Sequence, residues 1–220
     1  MSDAEDPTSQ WEVQLAEDVD LPGWVWLPDE LAPEERSAYV DEVVPALQDL
    51  IGTHQADGTP NTEVDIRAIL EAGLDARAKS NSYAMYQVWP VRAPAAVMCH
   101  LNRAATEDLP EWDDIDGRRF AAKARYIGPG LQISSRFTAD TDQGPAELAT
   151  VYFVFADGHD SVVVHLEPSV PQLVAHTMMG MGLYLNALNV TKADGSTFTS
   201  VASDATVADD DWLSDADGVS

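Results

Sequence analysis

Residues 146–168 read AELATVYFVFADGHDSVVVHLEP. Ala149, Val151, Phe153 and Phe155 recur at every second position, and after the break Val162, Val164 and Leu166 do the same. A period of two puts alternate side chains on one face of a strand. The intervening DGHD supplies the Asp-Gly chemistry that returns a chain antiparallel to itself. The segment therefore predicts a hairpin with one wholly apolar face, and the rest of the chain must cover that face.

Cover is at hand in the next segment, SVPQLVAHTMMGMGLYLNAL. Val170, Leu173, Val174, Thr177, Met181, Leu185 and Leu188 form one stripe at helical spacing. Ser169 followed by Gln172 has the spacing of a capping box. Gly180 and Gly182 each cost about 1 kcal/mol in a helix interior, which makes sense where the helix lies too close to the sheet for larger side chains. Upstream, YAMYQVWPV and AAVMCHLNR predict a strand pair across RAP, and RFAAKARYI and LQISSRFTA a second pair across a GPG turn. APEERSAYVDEVVPALQDLIG predicts a helix, with Pro33 in its first turn, Glu34 and Glu35 at the positive dipole end and Gly52 at its stop. Pro45 falls in its interior, where it removes a hydrogen bond and predicts a kink. A second helix is expected from about Thr62 to Lys79, with Thr62 and Asp65 as its cap and Ile66, Ile69, Leu70 and Leu74 inward. WEVQLA and WVWLP each suit a short strand.

The fold class is α+β: about six antiparallel strands preceded by two helices and closed by a C-terminal helix. Over residues 11–190 this element order resembles the START-type helix-grip fold, in which a curved sheet grips a long helix around an apolar cavity. It is also similar to the PsbP-like α/β sandwiches. The helix-grip resemblance implies a cavity between the closing helix and the sheet face carrying Phe153 and Phe155, with Met181 at its wall. Residues 1–10 are expected to form a flexible N-terminus, 11–190 a single α+β domain, and 191–220 an acidic tail disordered when free.

Charge narrows the partners. The chain holds 12 basic and 38 acidic residues, a formal net charge of −26, concentrated in both ends and the early helical region. Such a field repels nucleic-acid backbones and anionic lipid and steers a basic protein instead. A solubility or salt-adapted surface would carry the same composition. One cysteine, Cys99, excludes an internal disulfide. The acidic start MSDAEDPTSQ is unlike a signal peptide, and the apolar run Leu173–Leu185 is too short to span a bilayer. A cytoplasmic protein with no membrane contact is the expectation.

Catalytic patterns are scarce. Cys99 and His100 are neighbours on a predicted strand and point to opposite faces, so they do not pair as nucleophile and base. None of the five histidines, His54, His100, His159, His165 and His176, stands four residues from another, and no HExxH motif occurs, so neither a metal nor a cofactor is expected. The acidic WDDIDG and LSDADG place Trp112 and Leu213 where a calcium loop needs its first ligand. One basic cluster, Arg119, Lys123 and Arg125 with Arg118 and Arg136 nearby, is a candidate anion site or a salt-bridged sheet face. Met178, Met179 and Met181 suit either a core or an adaptable binding surface.

The chain is therefore expected to be a non-enzymatic binding or accessory protein, of the inhibitor, immunity or chaperone kind, that engages a basic protein. The alternative is a helix-grip-like carrier of a small apolar ligand. The candidate anchor is Trp212 with Leu213, flanked by Asp209, Asp210 and Asp211. Acids beside an apolar anchor speed encounter with a basic rim more than they add affinity.

Overall fold

The computed structural model describes residues 11–17, 19–52, 65–90, 95–110, 112, 115–141 and 144–202. Strands β1 (Glu12–Leu15) and β2 (Trp24–Trp26) lead into helices α1 (Pro33–Ile51) and α2 (Ile66–Arg77). Then follow β3 (Ala84–Val88), β4 (Val97–Ala105), β5 (Arg118–Ala124), β6 (Gly128–Thr141), β7 (Gly144–Ala156) and β8 (Asp160–Ser169). Helix α3 (Pro171–Ala187) and strand β9 (Leu188–Thr191) complete the described order. Seven strands form one antiparallel sheet in the order β2-β3-β4-β8-β7-β6-β5, and β1 pairs with β9 in a separate ribbon.

The α+β class and the antiparallel sheet are as the sequence predicts; the strand count is not. β2 pairs with β3 and adds a seventh strand at the edge, while β9 arises where the helix was expected to fade. The β5–β6 turn also moves. Gly128 and Gly130 pair with Ala124 and Ala122 inside the ladder, so Arg125–Ile127 make the turn rather than GPG. Gly130 is needed there because a Cβ would lie 2.5 Å from Cδ1 of Phe155. In the β7–β8 hairpin, Val151, Phe153 and Phe155 do lie opposite Leu166, Val164 and Val162.

Helices cover both faces of the sheet, each over its own apolar cluster. On one face, Val40, Val44, Leu47 and Ile51 of α1 meet Leu70 and Leu74 of α2 over Leu27, Met85 and Trp89. Helix α2 starts at Asp65, whose carboxylate accepts from the Ala68 amide at 2.9 Å; the expected start at Thr62 lies outside the described residues. Gly73 lets it approach β3, since a Cβ would lie 2.6 Å from the Gln87 amide nitrogen. Gln87 in turn donates to the Ile69 carbonyl at 2.8 Å and accepts from the Trp89 indole at 3.1 Å.

On the opposite face, Cys99, Leu101, Val151, Phe153, Phe155, Val162 and Val164 pack under α3. The helix begins one residue later than a Ser169 cap requires. Ser169 is held in the β8 ladder opposite Ala149, Val170 is the cap residue, and Pro171 supplies the first helical φ. The packed chain also continues past residue 190, the expected edge of the domain. Phe198 is wholly buried against Trp11, its amide donates to Val190, and Ser200 and Val201 donate to Ile127 and Ala156. Lys192 fastens this end to the β7–β8 turn through Asp157 and Asp160, the latter at 2.9 Å.

Candidate functional site

Helix α3 is the place where the surface departs from the rest of the molecule. Its sequence, PQLVAHTMMGMGLYLNA, holds no Asp, Glu, Lys or Arg in a chain that is 23% charged. The inner face uses Val174, Thr177, Met181, Tyr184, Leu185 and Ala187, all buried. Between them, spaced three and four residues from one another, lie the outward positions Gln172, Ala175, His176, Met179, Gly182, Leu183 and Asn186. Met179 is 81% exposed and Leu183 57% exposed, and they sit at i and i+4, one above the other on the helix surface. Val170, at the start of the helix, is 48% exposed, and Trp26 on the edge strand β2 is 53% exposed.

The inner face explains how firmly this surface is held. Trp24 stacks on Tyr184 with ring centroids 4.5 Å apart, and Tyr86 meets Tyr184 edge-on at 5.3 Å. Gly180 makes room for Trp24, whose indole nitrogen would lie 3.1 Å from an added Cβ. Gly182, by contrast, faces open space. Trp26 follows on the same side of β2, opposite Tyr86. Burial raises the Tyr86 phenol to about 12 and pushes the Tyr184 phenol and the Cys99 thiol well up, so all three stay neutral. Cys99 is a small core hydrophobe.

The expected cavity residues Phe153, Phe155 and Met181 are buried in this same cluster, packed with Tyr184 and Leu185. Two pockets lie elsewhere. One, of about 500 Å³, sits between the β2–α1 connection and α2, lined by Asp29, Glu30, Leu31, Glu35, Arg36 and Leu74 among others. The other, of about 370 Å³, is walled mostly by Leu109, Pro110, Trp112, Leu131, Val154 and Val201.

The basic cluster is divided by the fold. Arg119 and Lys123 share a face of β5, but the strand ends at Ala124 and Arg125 lies in the turn with its guanidinium over Tyr126. Arg119 donates to the carbonyls of Trp112 at 2.8 Å and Ile115 at 3.3 Å, pinning the connection before its own strand. β5 is a sheet edge, where charged side chains oppose pairing with another strand. Trp212, Leu213, Asp209, Asp210 and Asp211 lie outside the described residues, as does His54.

A polar line that strand parity alone does not reveal crosses the face opposite α3. Ser82 Oγ is 2.8 Å from His100 Nδ1, and His100 Nε2 is 2.8 Å from Glu167 Oε1. The register of β4 and β8 places His165 directly opposite His100, with rings stacked at 4.7 Å, and Tyr152 stacks on His165 at 5.0 Å. Burial and the neighbouring His100 lower His165 to about 4, against the opposing pull of Glu167. The His100 hydrogen bond holds the Glu167 carboxyl below its usual range. Among the described residues no group of three or more His, Cys, Asp or Glu could hold a metal ion. No helix of the described residues is long and apolar enough to cross a membrane.

No family model, curated protein or solved structure matches the chain.

Proposed function

We propose that the protein is a binding or accessory module that docks a basic protein partner on the outer face of α3. The observation that carries this reading is the exposure of Met179 and Leu183 on a helix without a charged residue. A partner of opposite sign is favoured over a second copy, because two chains each of formal charge −26 repel one another. Exposed Glu12 lies on β1, which meets α3, while the Arg125 amide donates to Asn186 of the helix, so the attraction for a basic partner comes from the formal charge of the chain as a whole. Burying Met179 and Leu183 in a partner contributes roughly 1.5–3 kcal/mol each. In this reading Trp212 and Leu213, with Asp209, Asp210 and Asp211, form a second anchor. Helices over both faces of one sheet support the PsbP-like sandwich over the helix-grip arrangement for the fold.

The test is site-specific photocrosslinking from position 179 in the source cells, followed by binding measurements with the identified partner in purified form. The expected partner is basic, and Met179→Asp with Leu183→Asp weakens it at least tenfold without changing the melting temperature. An acidic partner, or affinity indifferent to both substitutions, refutes the reading.

A small apolar ligand is the second reading. The 370 Å³ pocket beside Trp112 supports it, and in this reading the ligand lies beside Leu131 and Val154 rather than under α3.

A further inference from the structure

The Ser82–His100–Glu167 line has an order that the docking reading does not use. Glu167, held ionised by its hydrogen bond to His100, accepts only, so the proton shared with it belongs to Nε2. In the tautomer with its proton on Nε2, His100 presents a lone pair at Nδ1, to which the Ser82 hydroxyl 2.8 Å away donates. Ser80 Oγ donates to Ser82 Oγ at 2.9 Å and also accepts from the Ser82 amide at 3.1 Å, which fixes the hydroxyl in place. Nucleophile, base and orienting carboxylate are thus in hydrogen-bond sequence, the arrangement recognised by geometry rather than by order along the chain.

The loop bearing Ser82 is held from beneath. Arg77, itself buried, donates from Nη1 to the Ser82 carbonyl at 2.7 Å and from Nη2 to the Tyr83 carbonyl at 3.5 Å. Its Nη2 also meets Asp29 at 3.2 Å, while its buried Nε has no hydrogen-bond partner among the described residues. A cation is therefore fixed in the wall of the loop, with one donor uncommitted. Asn81 and Tyr83 on either side are exposed, Ser82 is half-buried, and Glu167 is reachable from solvent.

We propose that Ser82 is a nucleophile activated by His100 and oriented through Glu167, and that it accepts acyl groups from small uncharged or cationic esters. Anionic esters are disfavoured by the surrounding charge. Ser82 Oγ attacks the ester carbonyl and forms an O–C bond while its proton passes to Nδ1. Collapse breaks the bond to the alkoxy oxygen, which leaves as the alcohol with that proton. Water then attacks the acyl-serine, gives a proton to Nδ1, and releases the carboxylic acid as Ser82 regains its own. Glu167 is a positioning residue that neutralises the imidazolium present in both half-reactions.

The experiment treats the full chain with a fluorophosphonate probe and with p-nitrophenyl acetate, and maps any adduct by mass spectrometry. The expected adduct is on Ser82. It is absent in Ser82→Ala and formed at least tenfold more slowly in His100→Gln and Glu167→Gln, with the pH profile of labelling displaced in Glu167→Gln. Because His100 is buried, His100→Gln is read only if its melting temperature stays above the assay temperature. Glu167→Gln, on the exposed side, otherwise carries the test. No adduct on folded protein, an adduct on another residue, or a Ser82 adduct formed as fast in Glu167→Gln overturns the proposal. None of these outcomes touches the α3 surface, so the two readings fail separately.

Discussion

Acidifying the protein from pH 6.5 towards 4.5 should weaken it through one histidine. His165 stands between His100 and Tyr152, at 4.7 and 5.0 Å, on a sheet face where burial disfavours its charged form. Its ordinary value of 6.5 in the unfolded chain falls to about 4 in the fold. Above pH 6.5 both states are neutral there and the stabilisation is complete. Between 6.5 and 4 the unfolded state takes up a proton that the folded state refuses, so stability declines as pH falls. At about 1.36 kcal/mol for each tenfold difference in proton affinity, the full effect is roughly 3 kcal/mol. Partial contact with solvent reduces it to roughly 2 kcal/mol. Urea midpoints followed by tryptophan fluorescence at half-unit intervals of pH measure the slope in wild type and in His165→Gln. The wild-type midpoint should fall steadily across the window, and the variant should be flatter by most of that amount. Equal slopes, or a wild-type midpoint that rises as pH drops from 6.5 to 5, would refute the reasoning. Glu167, whose ordinary value is 4.5, begins to lose its own contribution near the foot of this window, so the slopes are compared above about pH 5.5, clear of both Glu167 and Asp157.

Two further predictions concern packing. Gly182→Ala should stabilise by about 0.5–1 kcal/mol, because an added Cβ meets nothing within 4 Å on α3. Gly130→Ala should destabilise by roughly 1–3 kcal/mol, since the Cβ would press on Phe155 at 2.5 Å and on the Val154 carbonyl at 2.7 Å; paired thermal melts decide both signs. Lys192→Met should cost roughly 1–3 kcal/mol by leaving Asp157 and Asp160 unpaired. It should also raise hydrogen exchange at the β7–β8 turn, and unchanged exchange there would show that the ion cluster does not hold the turn.

Local periodicity made the hairpins and both long helices legible, because alternation in β7 and β8 and the Val40–Ile51 spacing in α1 each report a buried face directly. Other features escaped, each for its own physical reason. β9 has only four residues, and the strand it pairs with, β1, is remote in sequence, so no local pattern marks it. The Ser169–Gln172 signature lost to sheet pairing, which keeps Ser169 extended beside Ala149. The stripe through Met181 did predict its burial, and Met179, outside that stripe, is exposed. Gly180 faces inward, where a Cβ would meet Trp24, whereas Gly182 faces open space, and the two look equivalent in sequence. Parity predicted that Cys99 and His100 face apart. It gave no sign of Ser82 beside His100, because Ser82 lies off the strands in the connection before β3.

The ribbon of β1 with β9 sets an order of events on the ribosome. Trp11 and Val13 are made well before the strand that pairs with Val13 and the Phe198 ring that covers Trp11. At roughly 5–20 residues per second the wait is on the order of 10–35 s. During that time β2 to β8 have the partners they need and can close the main sheet. Of the described strands β1 is thus made first and docked last, and until it docks the nascent chain carries Trp11 uncovered.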